Sequence, residues 1–208
     1  MMPDFIEIFI ILTYLSMLIE LIIFPVPSVA SSYQLIFKKV QISNDFLYTR
    51  VLKLKVWQKI LVLALPTLIS IIAYCTPLIL IITSKLSIII IDKPDNVGLM
   101  LIAFFIVLTG RIISIYSTIR IRQNNRQNGY SFELKTGNIF SLTRNPILLG
   151  MYLSYIGIMV LLLHYLILLA FVYYFIHMHF RILIEESFLK FKFGDKYVTY
   201  QAKTKRYF

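Results

Sequence analysis

The chain has 208 residues, 59% hydrophobic and 15% charged, with a net charge of +11 and a mean hydropathy of +0.79. A soluble domain is about 45–50% apolar and about 25% charged, so the composition excludes an ordinary soluble domain and points to an integral membrane protein. The positive balance then reads as loops facing anionic lipid, not as a nucleic-acid surface, and the single cysteine excludes an intrachain disulfide framework and a multi-cysteine metal site.

A helix needs about 20 apolar residues to span the hydrocarbon. Phe5 to Phe24 is the first candidate, with Glu7 and Glu20 near its ends and Pro25 and Pro27 to stop it. Val26-Pro27-Ser28-Val29-Ala30 has the look of a signal cleavage site, but the residues before the run hold Asp4 and Glu7 and no Lys or Arg. A signal peptide wants positive charge there, so we expect an uncleaved span. Ser28 to Gln58 mixes basic and apolar residues, as short amphipathic helices in the interface do, and Trp57 fits the aromatic belt.

Ile60 to Ile82 is the second span, with Pro66 and Pro77 inside it. Membrane helices tolerate such prolines when neighbours satisfy the freed carbonyls. The Asp-Lys-Pro-Asp-Asn cluster of Ser84–Asn96 is a turn signal. Val97 to Ile119 is the third span. Its Arg111 is either a functional residue or an arginine snorkelling to the interface. Arg120 to Asn145 is polar, and Pro146 to Ile184 is a long apolar run. As one helix that run would be about 58 Å long against about 30 Å of hydrocarbon. It therefore has to turn back near His164-Tyr165, as a helical hairpin.

The expected fold is an all-α integral membrane protein of about five transmembrane helices, with the hairpin at its C-terminal end and short interfacial helices. Residues 1–120 form the N-terminal spans and interfacial segment. Residues 121–208 form a loop, the hairpin and a basic tail. Ser28–Gln58 and Arg120–Asn145 carry five Lys and Arg each and the tail after Glu185 six, while Ser84–Asn96 carries two and the hairpin tip none. By the positive-inside rule the N-terminus lies outside and the C-terminus in the cytoplasm.

The hairpin puts Arg144-Asn145-Pro146 at the depth of Glu185-Glu186, on the cytoplasmic side. Pro146 suits the first turn of a helix, and Asn145 is placed to cap its free N–H groups. Gly150 leaves room for a neighbouring helix or a flat ligand. Adjacent glutamates on a helix point about 100° apart, so one can face a pocket while the other pairs with Arg144 or Arg181. His177, Arg181, Glu185 and Phe188 form one polar stripe, which is either a site or a set of interfacial anchors. Of three histidines, His177 and His179 are two apart and on different helix faces. Metal pairs on helices usually need spacings of three or four, and we expect no metal.

Thr136-Gly137, Thr143-Arg144-Asn145-Pro146, Gly150, Glu185-Glu186, Leu189, Phe193-Gly194, Tyr197, Tyr200 and Arg206 together resemble the membrane-embedded methyltransferases. These are the isoprenylcysteine carboxyl methyltransferases and the related phospholipid methyltransferases, whose signature is Arg-His-Pro-x-Tyr-x-Gly, a helical hairpin, then Glu-Glu and Phe-Gly-x-x-Tyr-x-x-Tyr. The resemblance covers about Thr136 to Arg206. It implies S-adenosyl-L-methionine as cofactor, a lipid-soluble methyl acceptor reaching a cytoplasmic-side pocket from the membrane lipid, and no nucleic-acid partner. On it, Arg144, Glu185 and Glu186 are the expected catalytic residues. Thr136, Gly137, Asn145, Pro146, Gly150, Arg181, Glu185, Phe193 and Tyr197 are the expected cofactor contacts. The chain departs from the signature at Asn145, where His is usual, and at Leu148, where Tyr is usual. Membrane sterol reductases, which use NADPH, carry a related motif with an acidic residue after the glycine. Met151 stands there here and favours methyl transfer. A non-enzymatic scaffold is the remaining alternative, and intact Arg144, Glu185 and Glu186 argue against it.

Overall fold

The computed structural model describes residues 2–23, 47–86, 88, 90–127 and 133–207, with backbone alone at 2–4, 21 and 122–127. The described elements are helices: α1 (Met2–Ile23), α2 (Leu47–Lys53), α3 (Val56–Lys85) and α4 (Val97–Gln127), then α5 (Ile139–Leu142), α6 (Pro146–Leu161), α7 (Tyr165–Phe193) and α8 (Asp195–Lys203). One isolated antiparallel bridge, Asp92 to Leu163, is the strand-like pairing among them. The all-helical expectation agrees with this architecture. Part of the expected interfacial segment, residues 24–46, lies outside the described residues.

Among the described residues, three helices are long and apolar enough to cross a membrane: α3, Val97–Ile121 within α4, and α7. The 16-residue α6 is shorter, about 24 Å against about 30 Å of hydrocarbon. Large apolar side chains stand exposed on outer faces, with Phe105 71% and Ile71 57% accessible, as lipid-facing residues are.

Two boundaries differ from the sequence expectation. α4 continues past Ile119 to Gln127, because no Gly or Pro interrupts it before Gly129. α7 continues past Ile184 through both glutamates to Phe193, and stops at Gly194, whose φ of 53° favours glycine.

The prolines of α3 act differently. Ahead of Pro66, Ile60–Ala64 widens into a π turn, where the proline supplies no N–H to the preceding turn. Pro77 frees the carbonyl of Ala73, and the Tyr155 hydroxyl of α6 donates to that carbonyl at 2.9 Å. A side chain of a neighbouring helix thus closes the gap.

α6 packs most extensively on α4 and α7 on α3. The α4–α6 seam is close because its residues are small. A Cβ on Gly150 would lie 2.5 Å from the Gly110 carbonyl oxygen, and one on Gly110 would lie 2.6 Å from the Ser154 backbone nitrogen. Arg111 of α4 is neither a snorkelling residue nor part of the C-terminal cluster. It is 6% exposed and donates to Glu20 of α1 at 2.7 Å and to Ser16 at 3.1 Å, while Thr118 donates to Glu20 at 2.6 Å. A buried charge needs such a partner, and this pair ties α1 to α4.

Polar contacts gather the chain's connections at two ends. At one, the Leu163 N–H donates to the Asp92 carbonyl at 2.9 Å, and Lys85 and Lys93 close on Glu7 at 2.7 and 2.6 Å. At the other, Arg144 meets Glu186 and the Tyr48 N–H donates to Ser187 Oγ at 3.0 Å. Gly150→Leu is expected to lower the thermal unfolding midpoint in detergent, since overpacking a tight contact costs about 1–3 kcal/mol or more. Gly137→Leu, whose added Cβ meets nothing within 4 Å, is the control and should change stability by about 0.5 kcal/mol or less.

Candidate functional site

The site is built where the start of α6, the end of α7 and the chain terminus meet. Thr143 is extended, Asn145 stands at the N-cap position and Pro146 opens α6. After α8 the chain returns across this point as a strap. The Arg144 N–H donates to the Lys205 carbonyl at 3.0 Å. Thr143 Oγ1 and Asn145 Nδ2 donate to the Arg206 carbonyl at 3.0 and 3.3 Å. Asn145 therefore does not cap α6 with its side chain, as its position suggested. Its amide is turned toward the strap, where the Arg206 carbonyl accepts from it.

Glu186 is the centre of the cluster. Arg144 donates to its Oε1 from Nε at 3.2 Å and Nη2 at 3.0 Å. Arg206 donates to Oε1 at 3.0 Å and to Oε2 at 2.8 Å. The remaining Arg144 amino group, Nη1, donates to the carbonyls of Gln201 and Thr204, each at 2.9 Å. The Arg144 and Glu186 side chains are both 9% exposed. One carboxylate thus joins α6, α7 and the strap. The hydrogen bond to Glu186 pushes the Arg206 guanidinium above its usual range, and burial partly opposes it. Burial also raises the phenol of Tyr200 to about 12, with Arg144 opposing and Glu186 adding to the rise. Tyr200 donates to the Phe140 carbonyl at 2.6 Å and so fixes α8 against α5.

The successor of Arg206 enters the helix layer. The Tyr207 ring lies among Tyr152, Phe175 and His179, at centroid distances of 6.0, 6.1 and 6.2 Å, and His179 Nδ1 is 3.1 Å from its hydroxyl. Tyr152 is 5% exposed, and its buried hydroxyl faces that of Tyr207 without a well-formed hydrogen bond. Outside the strap, an open cleft of about 600 Å³ is lined by Arg144 and Gln201–Tyr207.

The expected site residues divide. Arg144, Asn145, Pro146, Glu185 and Glu186 are together at this end, and Tyr197, 1% exposed, is buried with them. Burial raises its phenol first, and the charge of Glu186 adds to the shift. Glu185 interacts electrostatically with Arg181, one turn back. Gly150 is taken up by the α4 seam. Thr136 and Gly137 line a separate cleft of about 290 Å³ with Arg120 and Lys135. Phe193 lies at the end of α7 under the Lys192 ammonium. Arg206, part of the motif without a role, clamps Glu186. Tyr207, Tyr152, Thr204 and His179 were not singled out. The basic run Lys203–Arg206 reads as a solvated tail, and a tyrosine in a greasy helix reads as core.

The phospholipid methyltransferase family matches residues 96–196. That segment takes in α4, where the sequence showed no motif, and ends ahead of Tyr197, Tyr200 and Arg206. No curated protein and no solved structure matches the chain. Three of the described helices are long and apolar enough to cross a bilayer, and with the match over residues 96–196 they point to a multi-pass membrane protein similar over that segment to methyltransferases.

Glu186→Gln removes the charge from a carboxylate with two arginine partners, and breaking a buried pair costs about 3–5 kcal/mol. It should release the strap, read as faster amide hydrogen exchange at Thr204–Tyr207. Arg206→Met should do so less, because Arg206 is 28% exposed against 9% for Arg144.

Proposed function

We propose that the chain, whose residues 96–196 match the phospholipid methyltransferase family, transfers a methyl group from S-adenosyl-L-methionine to a lipid-soluble acceptor at the cytoplasmic face of the membrane. In this reading α6 and α7 are the two arms of a membrane hairpin, two of five spans, with the N-terminus outside. The charge counts of the connections support that orientation. The observation that carries the reading is the meeting of Arg144, Glu186 and the strap beside an aromatic chamber formed by Tyr152, Phe175, His179 and Tyr207.

These residues fit the cofactor. A carboxylate is recognised by a guanidinium, and Arg206, which meets Glu186 through Nε and Nη2, lines the cleft beside the strap. An amine and a sulfonium are held by carboxylates and aromatic faces, here Glu185 and the rings of Tyr207 and Tyr152.

When bound, the cofactor would supply a methyl carbon on a positively charged sulfur, open to displacement by a lone pair of the acceptor with the carbon–sulfur electron pair left on sulfur. No residue needs to form a covalent bond. Glu186, held by Arg144 and Arg206, orients the end of α7 so that Glu185 is aimed. The strap and the Tyr207 ring exclude water, and the rate gain comes from positioning. The acceptor in this reading is a carboxylate like that of a prenylcysteine, or a phospholipid headgroup.

The test is calorimetry on the detergent-purified chain. S-adenosylhomocysteine should bind, and NADPH should not. Glu185→Gln and Arg144→Ala should each weaken the binding about tenfold or more while the protein stays folded by circular dichroism. Binding of NADPH alone would overturn the reading.

A further inference from the structure

The connection between α3 and α4 is polar in its second half only. Asp92-Lys93-Pro94-Asp95-Asn96 makes the turn into α4, but Leu86 to Ile91 holds five aliphatic residues and no charge. A connection that faces water is built from polar and turn-forming residues. This one is pinned by the rest of the fold. The Ile88 N–H donates to the Thr83 carbonyl at 3.0 Å, and the Leu163 N–H donates to the Asp92 carbonyl at 2.9 Å. Ile91 packs against the main apolar core, and Pro94 is buried. Lys85 and Lys93, on either side, both close on Glu7, so the charges that bracket the segment are drawn to α1. Leu86, Ile88 and Ile90 are left outside, 66%, 67% and 88% exposed.

We propose that Leu86, Ile88 and Ile90 rest among the acyl chains just below the headgroups of the leaflet remote from Glu186, and anchor that end of the molecule in the bilayer. Held in water, three large aliphatic side chains would each keep their full hydration cost. In the leaflet they act as the apolar side of an interfacial anchor does. Two observations name lipid as the occupant. Ile72, Ile79 and Leu86 recur every seven residues, which keeps them on one side of α3, and all three are exposed. A protein covering the loop would have to share that side with the lipid that covers Ile72 and Ile79. The second observation sets the depth. Tyr165 opens α7 with its ring exposed, as aromatic rings stand at the membrane–water boundary. It is two residues from Leu163, which bridges to Asp92, and Ile90 lies within about 7 Å of Asp92 along the chain. The aliphatic loop is therefore at the boundary, on the lipid side of α3. The proposal holds whether or not the chain transfers methyl groups.

The test uses the full chain in phosphatidylcholine vesicles. Trp57 is the single tryptophan, so Trp57→Phe gives a silent background for Ile90→Trp and, separately, Ile88→Trp. Each is a substitution at an exposed position, and circular dichroism checks that each variant is folded. The emission of both reporters should be blue-shifted. It should be quenched by phosphatidylcholine brominated high on its acyl chains, and spared by iodide present on both sides of the vesicle. Lys196→Trp, on the exposed side of α8, is the control and should show the reverse. Quenching of either loop reporter by iodide and not by brominated lipid puts the loop in water and sinks the proposal. Quenching by neither means that a protein surface, such as a second copy of the chain, covers the loop, and sinks it equally.

Discussion

A single buried carboxylate organises the C-terminal half of the molecule. Glu186 accepts from two guanidiniums, one at the start of α6 and one on the strap. Each charge would be expensive alone at this depth, and the cost is offset because the three are satisfied together. Arg144 contributes most to that closure. It spends its remaining donors on the backbone of Gln201 and Thr204, so the helix ends and the terminus move as one unit. The arrangement also separates the roles of the two glutamates. Glu186 is committed to the clamp, and its neighbour, about 100° round the helix, is turned toward Arg181.

The helical layer that supports the clamp is joined by a few polar contacts within an apolar mass. Tyr155 satisfies the carbonyl that Pro77 frees, and Tyr14 donates to the Tyr74 carbonyl at 2.6 Å. Arg111 and Glu20 fix α1 to α4. The seam between α4 and α6 is close because glycine faces glycine. Apolar packing gives little preference between registers in a lipid environment. These directional contacts specify where along its neighbour each helix sits, and hence where Arg144 arrives.

α7 then acts as a partition. Its strap-facing side meets Tyr207 and Arg206, and its other side, with His177, lines an apolar groove against α2 and α3.

The sequence alone determined the helical class, the apolar spans and the break near His164 between α6 and α7, because these follow from apolar run lengths and a rise of about 1.5 Å per residue. It also led to the expectation that Arg144 and Glu186 share one end, and the structure pairs them. The roles within the motif were not legible. Gly150 serves the α4 seam, Thr136 and Gly137 line another cleft, and the Asn145 side chain serves the strap instead of α6. Arg206 stood in the motif without a role, within a basic tail, and local pattern holds no record of where that segment of the chain returns. The clamp, the chamber around Tyr152 and the groove at His177 each depend on contacts between residues far apart in the chain. Only the tertiary structure decided them, because spacing along a helix specifies the direction of a side chain but not what stands opposite it.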